Sequence, residues 1–494
     1  MKNPGEVTNF DLHGKSLSEV DGRIKQLVNL NTLDLSDNNL TTYPSALVGM
    51  NNLVSVNLES NKIEFLPKNI GQQLVVLDLD NNIMSSLPDE LGNLNNLQQL
   101  SLFQNQLYNL PESIGKLSQL KNLEVGRNYL RNLPESASKL TQLEQLNITE
   151  NEFDSLYPSL GDMVNLRAIV ANRNMLRGIP AEIGSLKNLE YLHLAENKIT
   201  SLPDGICQAS SLVEIDLSDN QVSSLPTRLY ELEKLEALYL KRNAFTDFPQ
   251  VLCNLPSLKH LELFNNKISG LPIQIGNLKK LEYMMLDDNL LETLPHEFGL
   301  LLGLKYLYLS NNMFKSLPLP ITKLQKLTQL HMEQNHISSL PQEIKFMEKL
   351  QLLNLNNNNL VELPREIGVL VNLKSISLMS NQLSALPDEF GKLQNLRTLT
   401  LDVNNFSVFP PCITRLKSLK VLNLDHNNIV NIPDEISNLE NLEELYLGNN
   451  NLSSVPVSIG KLKKLKILWL EGNNLPEEEV NKILRLLPDT EIDF

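Results

Sequence analysis

An asparagine recurs every 23 residues from Asn82 to Asn473 inside the frame L-x-L-x-x-N-x-L, which is usually followed by x-x-L-P. Asn38 and Asn61 extend the series toward the N-terminus, and a degenerate copy, FDLHGKSL, places Lys15 at the same position. A period sustained over a whole chain is the signature of stacked repeats in which each unit contacts its neighbours. The sequence therefore predicts one elongated solenoid, although 494 residues alone would suggest several globular domains.

Each position of the frame has a physical reason. The alternating L-x-L segment has the period of a strand with one buried face, and successive copies would run parallel in a continuous ladder. The asparagine lies where the chain leaves the strand, and its amide can donate to and accept from backbone groups that would otherwise be buried without partners. After the proline comes I-G-x-L or a variant, which predicts a short helical or 3-10 turn. The stacked asparagines are expected to form a ladder.

These features resemble the leucine-rich repeat family, in its 23-residue class with the consensus LxxLxLxxNxLxxLPxxIGxLxx. The likeness covers the whole sequence and is clearest in LSLFQNQLYNLP, LHLAENKITSLP and LYLSNNMFKSLP. It implies an α/β fold, a curved solenoid or horseshoe with a parallel β-sheet on the concave face and short helical or 3-10 turns on the convex face. The chain is similar both to bacterial proteins of the family, spirochaete ones among them, and to intracellular scaffolds of the Ras group.

Three segments are predicted along the chain. Residues 1–22 form a degenerate N-terminal capping repeat, residues 23–475 form about 20 units of 23 residues, and residues 476–494 form a C-terminal capping helix and a terminal strand. Pro476 and the three glutamates after it suit the first turn of a helix. One face of this helix is expected to cover the last repeat with its apolar residues Val480, Ile483, Leu484 and Leu487.

The composition excludes several classes of function. The chain has 43 Lys and Arg against 58 Asp and Glu, a formal net charge of −15, whereas nucleic acid requires a basic surface. No apolar run approaches the roughly 18 residues of a membrane span. The repeats begin close to Met1, which predicts a cytoplasmic protein without a signal peptide, unless residue 1 is a processed or cloned start. Cys207, Cys253 and Cys412 fit buried thiols in a reducing compartment.

Motifs for catalysis are absent from the sequence. There is no P-loop, G-x-G-x-x-G, H-E-x-x-H, C-x-x-C or G-x-S-x-G segment. His193, His260 and His331 fall on separate strands about 14 Å or more apart, too far for one ion to bridge them. The sequence therefore predicts no enzyme, no cofactor and no metal site.

Outward-pointing strand residues lie six, four, two and one positions before each asparagine, and in this repeat class they line the concave face, here named the strand face. These positions hold six of the 11 tyrosines, the only tryptophan and five of the seven histidines. Exposed aromatic, Met and His side chains are typical of protein-binding hot spots, although aromatic residues also pack across the strands of any ladder. The predicted partner-binding patch comprises Tyr191, His193, Tyr239, His260, Glu262, Phe264, Tyr283, Met285, Tyr306, Tyr308 and His331.

A secondary acidic patch is predicted on the first four repeats. It suits a basic segment of a partner, or alternatively its like charges keep the exposed end soluble. Its residues are Asp11, Asp34, Asp37, Glu59, Asp78 and Asp80.

The leading interpretation is a monomeric, non-enzymatic scaffold that binds a protein partner of unknown identity on the strand face, with no nucleic acid and no membrane span. The family resemblance leaves two settings open. One is an intracellular scaffold in signal transduction, and the other is a bacterial surface or secreted protein that binds host or extracellular ligands. A structural, self-assembling repeat protein is the third alternative.

Overall fold

The computed structural model describes residues 4–494, so the first three residues of the predicted N-terminal cap lie outside the described part. The chain divides into two compact units. Unit 1 comprises Met1–Ala244 and Asn254–Leu258, and unit 2 comprises Phe245–Cys253 and Lys259–Phe494. Each unit is a stack of short parallel strands connected by turns that mostly contain a 3-10 helix.

The strands of unit 1 pair in parallel with their sequence neighbours, each shifted by one repeat. The middle residue of each strand is apolar and, beyond the first strand, buried, whereas its two neighbours point outward. The strands are β1 Asn9–Asp11, β2 Thr32–Asp34, β3 Ser55–Asn57, β4 Val76–Asp78, β5 Gln99–Ser101, β6 Asn122–Glu124, β7 Gln145–Asn147, β8 Ala168–Val170, β9 Tyr191–His193, β10 Glu214–Asp216 and β11 Ala237–Tyr239.

The strands of unit 2 follow the same parallel order. Their register places the same position of every repeat side by side, as in Tyr283 beside Tyr306 and Tyr306 beside Gln329. The strands are β12 His260–Glu262, β13 Tyr283–Met285, β14 Tyr306–Tyr308, β15 Gln329–His331, β16 Leu352–Asn354, β17 Ser375–Ser377, β18 Thr398–Thr400, β19 Val421–Asn423, β20 Glu444–Tyr446, β21 Ile467–Trp469 and β22 Glu491–Asp493.

The predicted asparagine ladder is confirmed. Asn312 is representative: its Nδ2 donates to the carbonyl oxygens of Leu286 at 2.9 Å and Leu309 at 3.2 Å, and its Oδ1 accepts from the N–H of Leu291 at 2.9 Å. The side chain is buried. One amide thus satisfies backbone groups of its own repeat and of the preceding one, which holds the register between them.

The residue before each ladder asparagine has left-handed backbone. From Asp37 to Asn449 these residues have φ between 49° and 56°, although none of them is glycine. In this conformation the N–H points at the next repeat, as in the bond from Asp288 N to Ser310 O at 2.9 Å. The left-handed turn is therefore part of the contact between repeats.

A 3-10 helix follows most of the prolines of the repeat frame, which occupy the N-cap position in extended conformation. Gly115 shows why the turn needs a small residue, since a Cβ there would lie 2.2 Å from the carbonyl oxygen of Ser136 in the next turn. The 3-10 helices are Pro4–Glu6, Gly22–Gln26, Ser45–Leu47, Asp89–Asn93, Glu112–Lys116, Glu135–Lys139, Pro158–Asp162, Ala181–Ser185, Asp204–Gln208, Leu229–Glu231, Gln250–Asn254, Ile273–Asn277, His296–Leu300, Leu319–Lys323, Gln342–Phe346, Arg365–Val369, Asp388–Lys392, Pro411–Arg415, Asp434–Asn438 and Val457–Lys461.

One repeat is two residues shorter than the others, between Asn61 and Asn82. Its turn contains no 3-10 helix and is closed instead by a bond from Leu74 N to Gly71 O at 3.2 Å. The ladder is unaffected, because Asn82 still donates to Leu58 O at 3.0 Å. The deletion of two residues therefore changes the turn and leaves the asparagine ladder in place.

The C-terminal segment contains the α-helix Glu477–Leu486, here named α1, followed by β22, which pairs with β21. Ile483 within this helix and Leu487 directly after it are buried. The prediction for Leu484 is wrong, because its side chain is 49% exposed. An α-helix turns 100° per residue, so Leu484 points away from the repeat that its neighbour Ile483 contacts.

The first repeat is less covered than those after it. Its apolar residues Phe10, Leu12, Leu17 and Val20 are each partly exposed, whereas the matching residues of the second repeat are buried. A stack ends with one apolar face that no further repeat covers. The capping role of residues 1–22 stays a prediction.

Candidate functional site

Four aromatic rings form a continuous stack across β12 to β15 in unit 2. His260 and Tyr283 lie 4.1 Å apart between ring centroids with an angle of 6° between planes, and Tyr308 and His331 lie 4.6 Å apart at 12°. Tyr283 and Tyr308 join the two pairs at 5.3 Å. These four residues are named the ring stack. It crosses the strands diagonally, because its first two members lie six positions before their asparagines and the last two lie four positions before.

The ring stack is positioned by the strand register. Tyr283 pairs with His260 and Tyr306 in the ladder, and Tyr308 pairs with Met285 and His331. All of these side chains point away from the leucine core, and they are partly exposed. The strand spacing of about 4.8 Å matches the separation of stacked rings, so neighbouring strands bring the rings into contact without distortion.

Carboxylates border the ring stack. Glu262 Oε1 lies 2.8 Å from His260 Nε2, and Glu333 Oε2 lies 3.8 Å from His331 Nδ1. Asp287 lies two residues after the end of β13, and its Oδ1 accepts from the Ser310 N–H at 2.7 Å. The ring stack is therefore an aromatic surface with an acidic margin.

Burial and like charges shift the pKa values of this surface. Burial raises the pKa of Asp287 to about 6, since the hydrogen bond from the Ser310 N–H compensates only in part. Burial raises the pKa of Tyr283, and the neighbouring Tyr308 and Glu262 raise it further. Burial lowers the pKa of His331, against the opposing effect of the Glu333 charge. All three shifts favour the less charged form of the group.

The predicted partner-binding patch is divided between the two units. Glu262, Phe264, Met285 and Tyr306 lie with the ring stack on unit 2, and Tyr306 contributes a fifth ring at 6.1 Å from Tyr283. The remaining three predicted residues lie on unit 1: Tyr191, His193 and Tyr239.

The unit 1 part of the patch is a smaller cluster. Tyr191 meets His193 edge-on at 6.5 Å between ring centroids, and His193 Nε2 lies 2.9 Å from Glu214 Oε1 on the next strand. Tyr239 lies two strands away from His193, in register with Asp216.

The predicted acidic patch lies on unit 1, and most of its carboxylates bond to backbone. Asp37 instead occupies a left-handed position, and its N–H donates to Glu59 O at 2.9 Å. The carboxylate oxygens and the N–H groups they accept from are Asp11 Oδ1 with His13 at 2.8 Å, Asp34 Oδ1 with Ser36 at 2.9 Å, Asp78 Oδ1 with Asp80 at 3.0 Å, and Asp80 Oδ1 with Phe103 at 2.6 Å.

The same carboxylates repel one another. Burial raises the pKa of Asp80 to about 7, and the charge of Asp78 contributes to the shift. Burial also raises the pKa of Asp78, with further contributions from Glu59 and Asp34. The sequence identified these residues by type, but their role as backbone acceptors became visible only from the geometry. They serve the fold whether or not they also meet a partner.

Two aromatic pairs lie outside the predicted sites. Tyr446 and Trp469 meet edge-on at 5.1 Å on β20 and β21, and the Tyr446 hydroxyl donates to Glu444 Oε2 at 2.9 Å. Tyr108 and Tyr129 stack at 5.3 Å, one to three residues after their ladder asparagines and so away from the strand face. The strand-face position of Tyr446 and Trp469 was readable from the repeat frame, but an isolated pair gives little sequence signal.

The described part of the chain offers no group of three His, Cys, Asp or Glu side chains suited to a metal ion. Its α-helix, α1, has ten residues, and no helix among residues 4–494 has the length and apolar character to cross a bilayer. The three cysteines are free and buried, and burial raises the pKa of the Cys412 thiol to about 11.

Comparison with known proteins shows which family has this architecture. The family model for the leucine-rich repeat region matches residues 72–178, 177–266 and 296–407, and a second leucine-rich repeat model matches residues 6–63 and 417–475. The chain belongs to the leucine-rich repeat family. No match was found among curated proteins.

Solved structures of other leucine-rich repeat proteins are similar over nearly the whole chain. A leucine-rich repeat protein of Leptospira interrogans is 30% identical, with 100% of this chain and 97% of that chain covered and a TM-score of 0.59. YopM from Yersinia enterocolitica is 27% identical, with coverages of 96% and 88% and a TM-score of 0.66. The predicted similarity to bacterial leucine-rich repeat proteins is confirmed.

A plant receptor is also similar. The ectodomain of the Arabidopsis thaliana membrane receptor kinase GASSHO1/SCHENGEN3 is 26% identical, with coverages of 98% and 67% and a TM-score of 0.73. That structure is a complex with CASPARIAN STRIP INTEGRITY FACTOR 2. The fold of this chain is thus one that other proteins use to bind ligands.

Proposed function

We propose that this leucine-rich repeat chain is a non-enzymatic scaffold that binds a protein partner on the strand face of unit 2. The observation that carries the proposal is the ring stack, in which four aromatic rings from four consecutive strands form one continuous, partly exposed surface. Aromatic side chains of this kind give large contact area at low entropic cost, because few torsions are ordered on binding.

The arrangement suits an extended segment of the partner. The ring stack crosses the strands, so a ligand that follows it contacts several repeats in turn. The structural neighbour from Arabidopsis, solved in complex with CASPARIAN STRIP INTEGRITY FACTOR 2, supports the binding of a partner by this fold. A non-enzymatic role agrees with the absence of catalytic motifs from the sequence.

The Leptospira and Yersinia neighbours favour a bacterial protein as the setting of this scaffold. A cytoplasmic location and a monomeric state are part of the proposal, and surface or secreted localisation is its alternative. Fractionation of the cells that naturally produce the protein, followed by immunodetection of each fraction, distinguishes the two locations.

The proposal is tested with ligands selected from a display library of random 12-residue peptides. Binding of the selected peptides is then measured for wild type, for the variant Tyr283→Ala/Tyr308→Ala, and for the control Tyr108→Ala/Tyr129→Ala. The control removes two stacked tyrosines that lie off the strand face. We expect the ring-stack variant to lose at least tenfold in affinity while the control binds like wild type. Equal binding by all three proteins would show that the ring stack is not the site.

A further inference from the structure

The net negative charge of the chain lies on its strand face. The 84 outward strand positions hold 20 Asp and Glu but only 4 Lys and Arg, out of 58 and 43 in the whole chain. All other positions together hold 38 acidic and 39 basic residues, which is nearly neutral. The excess of carboxylates is therefore confined to the outward strand positions and is not spread over the whole chain.

The imbalance is complete on unit 2. None of the 40 outward strand positions from β12 to β21 holds Lys or Arg. Eight of them hold carboxylates, namely Glu262, Asp287, Asp288, Glu333, Asp402, Asp425, Glu444 and Glu471. A surface that excludes one sign of charge attracts ligands of the opposite sign and rejects those of its own.

Three of these carboxylates border the ring stack: Glu262, Asp287 and Glu333. Glu262 and Glu333 each face a histidine, but Glu333 Oε2 is buried without a hydrogen-bond partner in the described structure. Asp287 titrates above its usual range, to which the charge of Glu333 contributes. A cationic group placed beside the rings would relieve both the repulsion and the missing contacts.

From the ring stack and its acidic margin we infer that the partner presents an extended segment carrying arginine or lysine, with arginine preferred. Arginine fits better because its planar guanidinium bonds a carboxylate with two N–H groups and also packs against aromatic rings. This inference rests on the proposed function and names the chemistry of the segment that the ring stack binds.

The spacing of the carboxylates predicts the spacing of the cations. Glu262 ends β12, and Asp287 and Glu333 lie two residues after β13 and β15, so the outer two carboxylates are three strands apart, about 14 Å at about 4.8 Å per strand. An extended peptide crossing the strands advances about 3.4 Å per residue, so about four residues cover this distance. We expect basic side chains at positions i and i+4, with apolar residues between them against the tyrosines.

The same display library of random 12-residue peptides tests this inference. Peptides selected on wild type are expected to be enriched at least about threefold in Arg and Lys over the unselected library, with pairs at i and i+4. Their binding is then measured on the neutralised variant Glu262→Gln/Asp287→Asn/Glu333→Gln. The control Glu292→Gln/Glu348→Gln/Glu362→Gln removes three exposed carboxylates away from the strand face, so it changes the net charge by the same amount.

We expect the neutralised variant to bind at least tenfold more weakly than wild type and to lose most of the salt dependence of binding, while the control retains both. Thermal unfolding of each variant shows that the proteins are folded. Selected peptides that need Tyr283 and Tyr308 but are neutral or acidic would overturn the basic-segment inference and leave the proposed function standing. Peptides that bind the ring-stack variant as well as wild type would overturn the proposed function itself.

Discussion

His260 and Tyr283 stack face to face from neighbouring strands, with 4.1 Å between ring centroids. Contacts of this kind contribute about 0.5–1.5 kcal/mol beyond the burial of area. We therefore expect a double-mutant cycle of His260→Ala and Tyr283→Ala to give a coupling of about 1 kcal/mol in the free energy of unfolding, measured by urea titration. The pair Tyr283 and Tyr446 lies seven strands apart and is the control, with a coupling near zero.

Asp287 is expected to destabilise the fold at neutral and alkaline pH. Its pKa is about 6 in the folded protein against an ordinary 3.8, so the folded state binds the proton more tightly, and stability is lost as pH rises through this window. Asn at this position keeps an oxygen for the Ser310 N–H but carries no charge. The variant Asp287→Asn should be more stable than wild type by about 2 kcal/mol at pH 8.

The pH dependence separates this cause from a change in packing. Near pH 4 the aspartate of the folded protein is protonated, so the difference in free energy of unfolding between wild type and Asp287→Asn should shrink toward zero. A gain that is the same at pH 8 and pH 4 would contradict the electrostatic explanation.

Val403 occupies a backbone conformation that suits it poorly. Its φ is 54°, in the left-handed region, where a β-branched side chain is a strained exception, and its side chain is 46% exposed. Asparagine tolerates this region better, so Val403→Asn should raise the free energy of unfolding by about 1 kcal/mol. The matched control, Val408→Asn, changes an exposed valine outside the left-handed positions and should bring no gain.

Loss of one ladder asparagine should be costly. Asn312→Ala would leave the buried N–H of Leu291 without its acceptor. The carbonyl oxygens of Leu286 and Leu309 would each lose one of two amide donors and keep the other, Asn289 Nδ2 and Asn335 Nδ2. Buried polar groups left unpaired cost about 1–3 kcal/mol each, and we expect a loss of about 3 kcal/mol in the free energy of unfolding. Asn277→Ala, on an exposed turn position, should change it by less than about 0.5 kcal/mol.

The C-terminal helix offers a pair of adjacent residues with opposite environments. Ile483 is fully buried, whereas Leu484 is 49% exposed. Truncation of a buried Ile removes its transfer free energy and leaves a cavity, so Ile483→Ala should lower the free energy of unfolding by about 3 kcal/mol, and Leu484→Ala by less than about 1 kcal/mol. Similar losses for the two variants would mean that α1 packs with a different face.

Much of the fold could be predicted because the repeat frame determines which residues lie inside. The parallel strands, the 3-10 turns and the asparagine ladder all follow from a period-2 leucine pattern, a proline and an amide at fixed spacing. The burial of Leu484 was predicted wrongly because this residue lies at the edge of the apolar stripe, 100° around the helix from Ile483, and the buried face is centred on Ile483 and Leu487. Adjacent residues of a helix point 100° apart, and counting the apolar residues of a segment does not show which of two neighbours is buried.

The candidate site was predictable in its residues but not in its contacts. Counting tyrosines and histidines by position placed His260, Tyr283, Tyr308 and His331 on the strand face. Which rings stack depends on side-chain torsions, and the frame does not contain them. The backbone hydrogen bonds of Asp34 and Asp80 could not be predicted either. The sequence does not distinguish an aspartate that accepts from a backbone N–H from one that is free to bind a partner.

The short repeat before Asn82 has a consequence for how such a chain can change its length over generations. Two residues are absent from its turn, yet the bonds of Asn82 to Leu58 and to the N–H of Ile63 are intact. A deletion of two residues on the turn side is thus compatible with the ladder. Between strand and asparagine, the same deletion would move that repeat's own amide away from its partners, so length changes there are expected to occur as whole repeats.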